Sequence, residues 1–94
     1  MNWIVLCQQV VTGERGEWSI VYNFDHEYFS DKKAAIKHGF KIRDSDDFNV
    51  AAVEGGKVTR LFWMDEEQKD EEALQAINEQ HSFPFDIGRR DGNV

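Results

Sequence analysis

Asp44, Asp46 and Asp47 crowd the chain just before a segment that reads as a strand. Clustered carboxylates suit a hard cation such as calcium. A calcium loop of the EF-hand kind sets oxygen ligands at alternating positions, with a glycine sixth and a glutamate twelfth. Counted from Asp44, the fifth position is Phe48, the sixth Asn49 and the twelfth Gly55, so the pattern fails. The segment reads instead as a solvated turn whose Asp side chains bond nearby backbone amides. Asn49 stands out, because a strand interior disfavours Asn; it either caps a bulge or points at something bound. Cys7, His26, His38 and His81 show no zinc spacing, and a lone Cys in a strand usually behaves as a small buried hydrophobe. Asp25, His26 and Glu27 offer carboxylates and an imidazole, but successive loop residues do not converge unaided. The glycines of "GERGE", residues 13 to 17, lack the phosphate-cradling pattern and the helix that follows it. No pair of titratable groups has a spacing that implies acid and base roles. No catalytic residue, metal or cofactor is therefore expected, and an enzyme ranks behind a binding module.

Two charged segments remain. Lys33, Lys37 and Lys41 recur at helical spacing, with Lys32 and Arg43 nearby, and form a basic stripe on a chain of net charge -7. Residues 65 to 72, "DEEQKDEE", are acidic apart from Gln68 and Lys69; they suit the start of a helix, where the dipole favours carboxylates. The overall charge disfavours non-specific attraction to nucleic acid or anionic membrane. A single cysteine permits no internal disulfide and fits a reducing, cytoplasmic setting. No apolar run approaches the ~20 residues that span a bilayer.

The elements that must position these residues follow from the period of the apolar ones. Residues 3 to 12 and 17 to 24 read as strands, the second alternating Trp18, Ile20, Tyr22 and Phe24 on one face. Gly13 and Gly16 give the loop between them its freedom. Ser30 is the expected N-cap of a first helix, in which Ile36 and Phe40 stand four apart and Phe29 folds back beside Ala34. Gly39 within it marks either the helix end or a close approach to the sheet. Residues 48 to 54 and 57 to 64 flank Gly55-Gly56, a pair suited to a two-residue hairpin. Counting out from Glu54 opposite Lys57 sets Val53 against Val58, Ala52 against Thr59, Val50 against Leu61 and Phe48 against Trp63. Phe48, Val50, Leu61 and Trp63 then face the core. Asn49, Ala51, Val53, Val58, Arg60 and Phe62 form a mixed outer face.

Asp70 caps a second helix with Ala73, Leu74, Ile77 and His81 on one stripe. The order is ββαββα, an α+β fold in which two hairpins make a four-stranded antiparallel sheet with both helices on one face. The two ββα halves are candidates for a loose pseudo-symmetry. The first strand, apolar on both sides, is taken as central and partly covered by the second helix; pairing with a partner is the alternative. Residues 1 to 83 form one compact domain and 84 to 94 a flexible tail.

From Trp18 to Met64, "WSIVY", the helix carrying "AAIKHG", "DSDDFNVAAVEGGKV" and "FWM" resemble a group of small uncharacterised bacterial domains with a ββαββ core. The resemblance implies a fold and a bacterial origin, and no activity. Its most distinctive stretch matches Asp46, Asp47, Phe48 and Asn49. The expected function is a non-catalytic protein-binding or accessory module using Asp46, Asp47, Asn49, Arg60 and Phe62, as a monomer or weak homodimer. The alternative is a nucleic-acid accessory domain using Lys33, Lys37 and Lys41.

Overall fold

A computed structural model describes residues 1–85. Its elements run β1 (Asn2–Thr12), β2 (Trp18–Asn23), α1 (Lys32–Arg43), β3 (Asn49–Glu54), β4 (Lys57–Trp63), β5 (Glu66–Glu67) and α2 (Glu71–Gln80). The strands form one antiparallel sheet in the order β2-β1-β3-β4-β5. The fold is α+β as expected, but the sheet has five strands where four were counted. Met64, at φ 53°, turns the chain back so that Glu66 and Glu67 pair with Trp63 and Phe62. A two-residue strand built of charged residues carries no hydrophobic period, so it is invisible to pattern reading.

The helices do not share a face. Alternation along β1 and β3 sends Ile4, Leu6, Ala51 and Val53 to one side, where they pack with Ala73 and Ile77 of α2. Trp3, Val5, Val50 and Ala52 go to the other side, with Ala35 of α1. One helix on each side explains why residues 3 to 6 are apolar throughout: that part of β1 is buried on both faces. It also removes the pseudo-symmetry. A two-fold axis relating the hairpins across the antiparallel β1·β3 pair would stand perpendicular to the sheet and keep both helices on one side.

Register is where expectation and structure part. The twin-glycine turn is as read, with Gly55 and Gly56 at φ 59° and 84°, Glu54 opposite Lys57 and Val53 opposite Val58. Ala52 then faces Arg60, Ala51 faces Leu61 and Val50 faces Phe62. Thr59 is the extra residue of a β-bulge, which slips all later pairs by one. Leu61 therefore lies on the α2 side and Phe62 is buried on the α1 side. Trp63 is not a core residue but is 41% exposed, its indole N–H donating to the Asp46 carbonyl at 3.0 Å.

Asp31, not Ser30, caps α1, accepting from the Ala34 amide at 2.8 Å. The inner stripe of α1 is Ala35 and Gly39, with Ile36 partly buried beside it against the same cluster. A Cβ on Gly39 would run into the Phe48 ring, so this glycine lies inside the helix because the strand side comes too close for any side chain. Phe40 is consequently displaced to the flank and is 44% exposed. Asp70 caps α2 as expected, accepting from Ala73 N at 3.1 Å. The tail expected from residue 84 lies, from 86 onward, outside the described residues.

Candidate interaction site

The residues singled out in the sequence do not converge. Asp46 and Asp47 sit in the exposed turn after α1, where Asp44 adopts the left-handed C-cap conformation at φ 57°. Asp47 pairs with Arg43 at 2.8 Å and donates its amide to Ser45 Oγ. The turn is solvated, as in the simpler reading, but the amide bonded to a side chain within it goes to a serine hydroxyl and not to an Asp side chain. Asn49 projects to the α2 side of the sheet, donating to the Phe62 carbonyl at 3.1 Å and accepting from Gln8 Nε2 at 3.3 Å. Arg60 and Phe62 project to the α1 side because of the Thr59 bulge, so the proposed outer row is split between two faces. Phe62 is buried against Trp3, ring centroids 5.5 Å apart, with Lys32 and Arg60 over its ring at 4.4 and 5.0 Å. Arg60 forks to Glu67 at 3.1 and 2.9 Å. That hydrogen bond, chiefly, holds the Glu67 carboxyl below the usual carboxylate range and raises Arg60 further. The pair fastens β5 to β4 rather than awaiting a ligand.

The basic face fares better. Lys33, Lys37 and Lys41 are exposed, and among the described residues none of them enters an ion pair. Lys37 and Lys41 border an open groove of about 600 Å³ along α1, with Phe29, Ala34, His38 and Phe40. Lys33 lies outside its lining, and Lys32 is drawn away to Asp65 at 2.9 Å. Each wall has a cause in the fold. Phe29 is fixed because it exchanges backbone hydrogen bonds with Trp3 at 2.8 and 2.9 Å, occupying the place beside β1 that β2 leaves. His38 lies against the Phe29 ring, centroids 4.9 Å apart, and its Nε2 meets Asp25 Oδ2 at 2.7 Å. Asp25 belongs to the Asp-His-Glu loop, which thereby braces α1 instead of forming a catalytic cluster. Phe40 stands edge-on against Phe48 at 5.3 Å, held at the rim by the glycine beneath it.

Sequence reading supplied the lysines and gave Phe40 no part in a surface. The signal was present: Ala35 and Gly39 are spaced four apart, and a stripe of small residues lets a helix sit low, pushing its larger neighbours outward. An apolar floor under a cationic rim can hold an apolar side chain while pairing its acidic neighbours.

Nothing else described assembles a reactive centre. Cys7 lines a depression of about 210 Å³ with Val5, Asn23, Phe24, Asp25 and Ile42. Burial pushes its thiol above the ordinary value, leaving it neutral and weakly nucleophilic. Among the described residues no group of three or more His, Cys, Asp or Glu is placed to hold a metal ion, and no helix is long and apolar enough to cross a membrane. Comparison with protein-family models, curated proteins and solved structures returns no match, so the resemblance of Trp18–Met64 to small bacterial domains rests on the quoted residues alone.

Proposed function

We propose that this chain is a non-catalytic protein-binding module whose α1 groove takes an acidic, apolar segment of a partner protein, in a bacterial cytoplasm. The observation that carries the reading is Phe40, 44% exposed between Lys37 and Lys41 over a floor that includes Phe29 and Ala34. A phenyl ring left half in water at the mouth of a groove gains by burial, at ~25 cal/mol per Å². The flanking ammonium groups select negative charge beside it, and a short peptide supplies both features. The bacterial setting is supported by the resemblance of residues 18 to 64, and a reducing compartment by the single cysteine.

Nucleic acid is the competing ligand for the same lysines. It fits less well, because the groove itself offers no arginine fork and a chain of charge -7 repels a polyanion at long range. Binding by short peptides rich in Glu, Leu and Phe, followed by amide chemical shifts, separates the two. Acidic apolar peptides are expected to perturb α1 and to lose about tenfold in affinity, ~1.4 kcal/mol, with either Phe40→Ala or Lys37→Glu. Oligonucleotide binding that survives Phe40→Ala and falls steeply with salt would replace this function with the nucleic-acid one.

A further inference from the structure

The sheet treats its edges unequally. On the outer edge of β2, the Gln80 side chain accepts from Tyr22 N at 2.8 Å and donates to the Ile20 carbonyl at 2.9 Å, while His81 Nε2 donates to the Tyr22 carbonyl. On β4, the Asn78 side chain accepts from Val58 N at 2.8 Å and donates to Val58 O at 2.9 Å, and β5 covers Phe62 and Trp63. Three side chains from the end of α2 thus imitate neighbouring strands, which blunts edges against unwanted pairing.

One edge is not treated in this way. β1 pairs with β3 only from Asn2 to Leu6, and with β2 only from Cys7 to Thr12. Trp3 turns its amide and carbonyl to Phe29 on the β2 side, so by alternation the odd residues of β1 bond towards β2 and the even ones towards β3. Since β3 begins at Asn49, opposite Leu6, the backbone groups of Gln8, Val10 and Thr12 face no strand among the described residues. All five residues from Gln8 to Thr12 are exposed. They include no charge and no proline, the devices that protect free edges.

We infer that this edge pairs with the same edge of a second copy of the chain, antiparallel, about a two-fold axis at Val10. The occupant follows from the edge itself. A two-fold at its centre sets Val10 against Val10 and Gln8 against Thr12, and uses every outward amide and carbonyl of the stretch on both copies. Because the segment is uncharged, no like charges stand opposite one another within the paired stretch, although each molecule carries a net charge of -7. Pairing also consumes the open edge of each copy, so the assembly closes at two instead of growing into a filament. The axis is perpendicular to the sheet, so Val10 (64% exposed) and Trp18 (68% exposed) of both copies line up as one apolar strip on the α2 side. Both α1 grooves come to the opposite side.

Sedimentation equilibrium of the full chain tests this. The wild type is expected to move with concentration towards twice 11.0 kDa. Val10→Pro removes an outward amide without touching the β1·β2 ladder, and Val10→Lys sets two ammonium groups face to face across the axis; both are expected to be monomeric, with the thermal midpoint of dilute, monomeric wild type and without its rise at higher concentration. Val11→Lys adds the same charge at a residue that bonds inward and does not meet its own copy, and is expected to dimerise like the wild type. A wild type that stays monomeric as concentration rises, or a dimer that persists in both Val10 variants, overturns the inference.

Discussion

Within the single strand β1 the molecule changes character between Leu6 and Gln8. Trp3 to Leu6 lie between two helices, with Ile4 and Leu6 fully buried, whereas Gln8 to Thr12 stand in water on both faces. The two stretches differ little in strand propensity, since both are rich in Val and Ile or Thr. They differ in neighbours. The body is held by packing above and below; the arm is held by one ladder with β2. Stability should therefore be concentrated in the first half of β1 and what covers it, and recognition in surfaces the helices leave open.

Cutting the body should show the largest effect. Ile77→Ala removes a fully buried side chain from the α2 side and is expected to cost about 3 kcal/mol in chemical denaturation. Val10→Ala in the arm, measured on dilute protein, should cost less than ~0.5 kcal/mol. Equal costs would mean the arm packs as the body does.

Gly39→Ala comes next. An added methyl meets the Phe48 ring, and forcing it in costs ~1–3 kcal/mol against ~1 kcal/mol gained in helix propensity. A net loss of about 1 kcal/mol is expected, with shifted Phe40 resonances because that ring rests on Phe48. A stabilised variant would show that α1 does not sit as low on the sheet as described.

Removing the edge cap with Asn78→Ala strands the Val58 amide and carbonyl and should cost ~1–2 kcal/mol. Hydrogen exchange at Val58 should quicken, while the Val10 amide, uncapped from the start, should already exchange fast in dilute solution. Protection at Val10 that grows with concentration would sharpen the contrast, because only pairing with another strand supplies it.

The smallest effect is acidification. Glu67 has its folded value lowered, mainly by the Arg60 hydrogen bond, so what it contributes is present above the ordinary carboxylate range and disappears as pH falls through the lower folded value. Resonances of β5 should change in that window while those of Asn2–Leu6 do not. The pair is on the surface, so global stability should barely register it.

Much of the fold was legible because it is local. The hairpin glycines, the Asp70 cap and the alternation of Trp18, Ile20, Tyr22 and Phe24 each depend on residues close in the chain. The acidic turn at Asp44 to Asp47 was likewise readable as a turn. The inner face of α1 was hard to read because Ile36 and Phe40 are its larger apolar residues, whereas a helix lying close to a sheet presents its smallest ones, and of the two only Ile36 packs against the core. Asn49, Arg60 and Phe62 were grouped on one face by a count that no longer held after Thr59. A bulge leaves no mark in composition, and one extra residue exchanges inside for outside.

By itself the sequence determined two of the hairpins, both helices, the Asp70 cap, and an acidic chain with basic residues gathered on α1. Tertiary structure alone decided that the helices lie on opposite faces, that β1 divides into a buried and an open half, and that Phe40 is left half-exposed at the rim of a groove. Those outcomes turn on which distant segments meet. Local preferences act over a few residues, whereas the side of the sheet a helix covers and the edge a side chain caps are settled by packing the whole chain at once.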